Sequence, residues 1–443
     1  MRMRRISHDK AIPSRHPIRD GSTALAAVLL AAACTSGSGR PSGPSQSASP
    51  PTAVSQSPAA TVQVAPGNGA RQVRPGRVIR VVAIGATLRS VEVRCGAERV
   101  DGAYDSARYR WHSSGWLHVS SRYTVTATAI DSSGRTTRVS SWFRTLSPTR
   151  TFAAQISESE GATYGVGMPI QLTFDRRIHD KAAVERAVRV TASRQVSGIW
   201  YWLDDKHLNF RPHDYWPPHI SVSVRAAFNG VRAAPGVFGS ADLRRNFRIG
   251  MSLIVVASTV THRLRLFKNG RLIHNWPIST GRPGYDTPNG TYLTIEKANP
   301  VEMRPAGIAP GERGYYDIWV PWSVRFTWNG IYLHDAWWSV AEQGHVNVSH
   351  GCVNMPPAAA KTYYKMERPG DPVTITDSPV AGDPGNGWTD WFSSWRQLLA
   401  ASALHQAVQV GPHGSVLVNP ATVPASTARP PIGRPAPYNA GAT

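Results

Sequence analysis

Apolar and polar residues alternate in short runs through most of this chain, the period-2 signature of half-buried strands. Runs at 77–83, 90–94, 123–130 and 136–145, with a turn at Asp131-Ser-Ser-Gly134, predict a small β-sandwich over residues 66–148. A second set at 170–174, 199–203, 208–210 and 220–224, with a helical turn at 181–187, predicts another over 149–249. From 250 to 377 the runs lengthen, at 253–257, 263–267, 272–278, 290–295, 319–328, 331–333 and 371–376. Asn269 and Gly270, the residue pair best suited to a two-residue hairpin turn, separate the second run from the third. One helix is predicted, 357–366, opened by Pro357 and stopped by Pro369 and Gly370. This third region reads as a mainly antiparallel sheet domain with one main helix. Over 378–410, Trp388, Trp391, Phe392 and Trp395 fall at i, i+3, i+4 and i+7, continued by Leu398 and Leu399. That spacing predicts an amphipathic helical segment whose aromatic stripe packs on the 250–377 domain. The fold class is mainly β.

The two ends are of different composition. Residues 34–65 are Ser, Pro, Gly, Ala and Thr with almost no charge, too poor in apolar side chains to fold, and predict an extended tether. Residues 411–443 are Pro/Ala/Gly/Thr-rich and predict a disordered tail. Residues 1–33 read as a signal peptide. Arg2, Arg4, Arg5, Lys10, Arg15 and Arg19 precede an uncharged stretch, 21–33, whose apolar core is too short for a standard transmembrane helix. The stretch ends in Ala31-Ala-Ala-Cys34, which resembles a lipobox, with Ala31 where leucine is usual. A lipobox makes Cys34 the lipidated first residue of the mature protein; the alternative is ordinary cleavage near Ala33. The expected location is the outer face of the membrane, through a lipid anchor, or the cell wall.

Charge narrows the partners. Lys and Arg outnumber Asp and Glu 49 to 28, a formal net charge of +21, which favours an anionic partner. The excess is spread along the chain, without a Lys/Arg run, zinc-finger spacing or a nucleic-acid motif, so an anionic envelope is expected and nucleic acid is not. Three cysteines cannot form a disulfide framework.

The candidate chemistry lies in Ser349-His350-Gly351-Cys352-Val353-Asn354 and in His334, 18 residues before the cysteine. A nucleophilic thiol needs a base, a rigid turn and an oxyanion site. His334, at the end of a predicted strand, supplies the base if a hairpin-like loop returns Cys352 to it. Gly351 permits close approach of backbone to substrate, and the amides around Cys352 are candidate oxyanion donors. The group that orients the imidazole is either a backbone carbonyl near Asp335 or a side chain. Two blander readings are a zinc site and an inert cysteine. His345 and His350 have a zinc-finger histidine spacing, but no C-x-x-C pair accompanies them, so no metal and no cofactor is expected.

Four blocks in order, Ile278-Ser-Thr-Gly281, Thr287-Pro-Asn-Gly290, Gly330-Ile-Tyr-Leu-His334 and Ser349–Asn354, resemble the L,D-transpeptidase catalytic-domain family. The arrangement over residues 66–400 resembles its actinobacterial branch, with two immunoglobulin-like domains in front. The resemblance implies a two-step acyl transfer on peptidoglycan stem peptides and susceptibility to carbapenems. Cys352 would be the nucleophile and His334 the base and acid. The Gly351 and Cys352 amides would form the oxyanion hole, within a turn shaped by Ser349, His350, Gly351 and Asn354. A tyrosine 18 residues before the histidine adds a hydroxyl there in the actinobacterial enzymes, which gives Tyr316 with Tyr315 adjacent. The lid between Lys297 and Gly314 lacks the tyrosine that related lids carry. Competing functions are an L,D-carboxypeptidase, in which water replaces the amine, and a non-catalytic wall-binding lipoprotein.

Overall fold

The computed structural model describes residues 60–305, 308–312 and 315–423. The signal peptide, Cys34 and the tether up to Ala59 lie outside the described residues, as do 424–443. Nearly every element is a strand. Among the described residues no helix is long and apolar enough to cross a membrane.

The first sandwich pairs Thr61–Ala65, Arg80–Ile84, Arg110–Ser113 and Gly102–Tyr104 in one sheet. The other sheet runs Ala70–Val73, Thr136–Thr145, Arg122–Ile130, Thr87–Cys95 and Glu98–Arg99. Alternation does the sorting: Tyr123, Val125, Ala127 and Ala129 point inward with Phe143, while Arg122, Thr124 and Arg144 point to solvent. Tyr123 stacks on Phe143 at 5.1 Å.

The second sandwich has its own core of Phe152, Phe174, Trp202, Phe210, Trp216 and Phe228. The aromatics of its strand Val196–Trp202 are therefore packing residues. Its larger sheet also takes in the end of the chain. Ala407–Gly411 pairs antiparallel with Val196–Trp202, and Gly414–Val418 folds back on Ala407–Gly411. The expectation of a disordered tail from 411 is thus corrected: 407–418 is a hairpin that contributes Val408 and Val410 to the core.

The segment 378–410 also departs from its expected form. Two short helices, Asp390–Phe392 and Trp395–Ala401, replace one, because Ser393 ends the first turn in an extended conformation and Ser394 caps the second with Gln397. The aromatics accordingly serve both neighbours. Phe392 packs on Tyr292 at 5.0 Å over Gly290, where a Cβ would strike its ring. Trp391 lies edge-on to Tyr215 at 4.3 Å and donates to the Gly167 carbonyl at 2.8 Å.

The third region has a five-stranded sheet in the order Arg271–Pro277, Arg263–Lys268, Leu253–Ser258, Pro372–Thr376, Gly290–Leu293. Asn269 (φ 47°) and Gly270 (φ 80°) make the expected hairpin turn. A second sheet runs Glu296–Ala298, Ser323–Arg325, Tyr332–Asp335, Val353–Met355. The single strand expected over 319–328 is two, Ile318–Val320 and Ser323–Arg325, broken at Pro321 and at Trp322 with φ 50°. Helix Pro357–Met366 closes the core through Ala359, Ala360 and Tyr363, which recur on one face.

Candidate active site

Strands Tyr332–Asp335 and Val353–Met355 run parallel, with His334 opposite Asn354. Parallel neighbours need a crossover, so residues 336–352 leave the sheet and return to the same edge, not through the hairpin-like loop expected. The crossover is tied down on its way back. Ser349 bridges to Gly281 and Asn354 to Ser279, so the Ser-Thr-Gly block forms the floor under the cysteine turn. Gly281 has no room for a side chain there: a Cβ would sit 2.0 Å from the Tyr285 carbonyl oxygen.

Hydroxyls hold the turn itself. Ser349 Oγ donates to the Cys352 carbonyl at 2.6 Å and accepts from the Gly351 amide at 3.1 Å. Thr287, fully buried, donates to the Gly351 carbonyl at 2.7 Å and accepts from Gly281 at 3.0 Å. Gly351 adopts φ +121°, which a residue with a side chain rarely takes. These bonds correct one expectation. The Gly351 amide is occupied by Ser349, whereas the Cys352 amide has no acceptor among the described residues.

His334 is buried, and its Nδ1 lies 2.7 Å from the Asp335 carbonyl oxygen. A carbonyl only accepts, so the proton sits on Nδ1 and the Nε2 lone pair is free. The orienting group left open by the sequence is thus this backbone oxygen. Trp338 stacks on the imidazole at 5.8 Å between centroids. Cys352 Sγ accepts from the Tyr332 amide at 3.4 Å and faces the Gly330 carbonyl at 3.9 Å; no hydrogen bond joins it to the His334 ring. Burial lowers the His334 pKa to about 4 and raises that of the Cys352 thiol to about 11, against the pull of the Tyr332 amide. The resting pair is neutral thiol and neutral imidazole.

His350 is differently placed. Arg282 Nη2 lies 2.7 Å from its Nε2, and since a guanidinium only donates, Nε2 must accept and Nδ1 must carry the proton. Burial, then the Arg282 charge, holds this imidazole below the ordinary histidine pKa. Tyr285 and Tyr316 flank the ring at 4.9 and 5.2 Å. Of the two candidate tyrosines, Tyr316 therefore reaches the site. Its hydroxyl pKa is raised by burial and then by its closeness to Cys352, whose thiolate form would repel a phenolate. Asn354 acts from beneath: it is buried, donates to Ser339 Oγ at 2.9 Å and pairs through its backbone with Ser279.

Sequence reasoning missed Asn347, whose Oδ1 accepts from the amide and hydroxyl of Thr280 at 3.0 and 2.8 Å while Nδ2 donates to the Thr259 carbonyl. A single Asn between valines gives no signal of this. Arg282 and Thr287 were also missed as individual residues, although Thr287 opens one of the family blocks. Within the stretch expected to form a lid, Val301–Met303 pairs with Ile318–Val320 beyond it, and Lys297 is anchored to the carbonyls of Tyr364 and Glu367 at 2.8 and 2.6 Å. Among the described residues no group of three His, Cys, Asp or Glu is placed to hold a metal ion.

Residues 252–375 match the family profile of the L,D-transpeptidase catalytic domain, and residues 70–232 that of a bacterial Ig domain. L,D-transpeptidase 2 of Mycobacterium tuberculosis is 31% identical over 340 residues, 76% of this chain and 83% of that protein. The chain belongs to the L,D-transpeptidase family. L,D-transpeptidase 5 of the same organism is 32% identical over 78% of each chain. L,D-transpeptidase 1 is 35% identical over 50% of this chain and 84% of its own length. The matches span the immunoglobulin-like region as well as the catalytic domain, so the transpeptidase reading and the mainly β architecture agree.

Proposed function

We propose that this L,D-transpeptidase forms 3→3 cross-links between peptidoglycan stems through a thioester on Cys352. The supporting observation is the His334 tautomer: with Nδ1–H on the Asp335 carbonyl, Nε2 is left as a base on the strand beside the nucleophile. Cys352 Sγ attacks the carbonyl of the third residue of a donor tetrapeptide, normally meso-diaminopimelate, as its proton passes to Nε2. The tetrahedral oxyanion takes the Cys352 amide and the Tyr316 hydroxyl. Collapse breaks the amide bond, and His334 returns the proton to the amine of the departing D-Ala. The side-chain amine of a neighbouring stem then attacks the thioester, loses a proton to His334, and leaves Cys352 as the thiol. Because the resting thiol is protonated, proton transfer accompanies attack.

The test is intact-mass analysis after incubation with tetrapeptide muropeptides. The expected results are a thioester adduct on wild type, none on Cys352→Ala, and cross-linked dimer as product. Tripeptide without dimer would establish the carboxypeptidase instead; full activity in Cys352→Ala would overturn Cys352 as the nucleophile, and a wild type with neither adduct nor product would leave the non-catalytic wall-binding role. A carbapenem should acylate the same thiol, since its strained lactam carbonyl presents the same electrophile. Membrane attachment through lipidated Cys34 completes the proposal, and release of a Cys34→Ala variant into the soluble fraction is its expected signature.

A further inference from the structure

The outer face of the larger sheet in the first sandwich carries an arrangement that costs stability. Strand register sets Arg122 directly opposite Arg144, and Arg94 directly opposite Arg99. Like charges facing each other across an antiparallel pair repel. One acidic side chain shares this face, Glu92, which pairs with Arg94 at 2.6 Å. Among the described residues Arg71, Arg99, Arg122 and Arg144 have no carboxylate within ion-pairing distance, and all are exposed. Trp142, half-buried, lies among them, with the guanidinium of Arg122 4.5 Å and that of Arg71 5.8 Å from its ring. In register beside it is Thr124, followed by Arg94 and Arg99, so a row of cation, cation, hydroxyl and indole crosses the sheet.

We infer that this face docks the anionic peptidoglycan polymer, the guanidinium groups taking its stem-peptide carboxylates and Trp142 and Thr124 its sugar rings. Charge complementarity carries the assignment: the face concentrates part of the net charge of +21, and Glu92 offsets Arg94 alone, leaving Arg71, Arg99, Arg122 and Arg144 without an internal counter-charge. Polymer, rather than membrane, fits because no large apolar side chain protrudes here to enter an acyl layer. The exposed apolar residues of this sandwich, Ile84, Tyr109 and Trp116, lie outside these strands. The inference rests on the peptidoglycan reading for its ligand, though not on the thiol chemistry.

The experiment is cosedimentation of the full chain with sacculi stripped of attached polymers, against phosphatidylglycerol vesicles. An Arg122→Ser/Arg144→Ser variant and Trp142→Ala are compared with wild type. The double variant should lose roughly tenfold or more in sacculus affinity, the scale of one or two charge-assisted hydrogen bonds. Wild-type binding should weaken with added salt. Removing the opposed charges should leave the melting temperature unchanged or higher, and acylation by a carbapenem should be unaffected. Undiminished sacculus binding by the double variant would overturn the inference, as would a loss confined to vesicles. A fall in melting temperature with binding intact would make the arginines structural. A wild type that binds through this face but is never acylated would sink the catalytic reading alone.

Discussion

His334 and His350 both carry their proton on Nδ1, and only one of them keeps a usable lone pair. A backbone carbonyl fixes the first and leaves Nε2 open, while Arg282 fixes the second by occupying Nε2. The sequence shows two histidines near a cysteine and cannot rank their tautomers, because neither a carbonyl nor a distant arginine is visible as a partner. With the His334 pKa near 4 and the Cys352 thiol near 11, the acylation rate should stay level through neutrality and fall as pH drops through about 4, where Nε2 protonates. An ultraviolet titration should show no thiolate absorbance at neutral pH; a thiolate band there would mean an ion pair. His334→Gln is expected to slow acylation by roughly 10²–10⁴-fold, the range for loss of a general base. Ser349→Ala strips the buried Gly351 amide of its acceptor and should cost about 1–3 kcal/mol, read by denaturant unfolding.

Among elements, most strands were legible because alternation is a local property. The breaks were less so. Pro321 and Trp322 divide one expected strand, and Ser393 and Ser394 divide one expected helix, since a turn or cap must be recognised inside an otherwise regular pattern. The hairpin at 407–418 was missed for a different reason: its partner strand, Val196–Trp202, lies far upstream, and local composition resembles the tail that follows. The catalytic turn was legible as a motif, whereas its supports at Asn347 and Thr287 depend on contacts across the crossover. Val410→Ala, which opens the second sandwich core from the hairpin side, should cost about 2–3 kcal/mol from two lost methyl groups and the space they leave. Glu158 gives this sandwich a pH dependence. Burial raises its carboxyl to about 8 from an ordinary 4.5, so the folded state keeps a proton that the unfolded state releases. The stabilisation is full below about 4.5 and is lost as pH rises through about 8. Glu158→Gln should therefore raise the melting temperature relative to wild type at alkaline pH and lose that advantage at acidic pH.

For the whole molecule, the order of the blocks along the chain differs from their order in space. The second sandwich begins at 150, is left at 249, and is completed by strands at 407 and 414 after the catalytic domain has been traversed. Tyr201, Asn209 and Arg211 of the sandwich all bond to Asp390, so the segment that leaves the catalytic domain is fastened before it reaches its strand. Ending the chain at 404 should therefore lower the melting temperature of the sandwich and reduce soluble yield, although every residue of the thiol site is present.

The catalytic domain is in effect a long excursion from the sandwich, held at both ends. A domain on one linker swings about it; a domain on two separated attachments has lost that hinge. Whatever reach the enzyme has toward a distant stem does not come from a swing of its catalytic domain against this sandwich. The sandwich and the thiol would then travel as a single tool head.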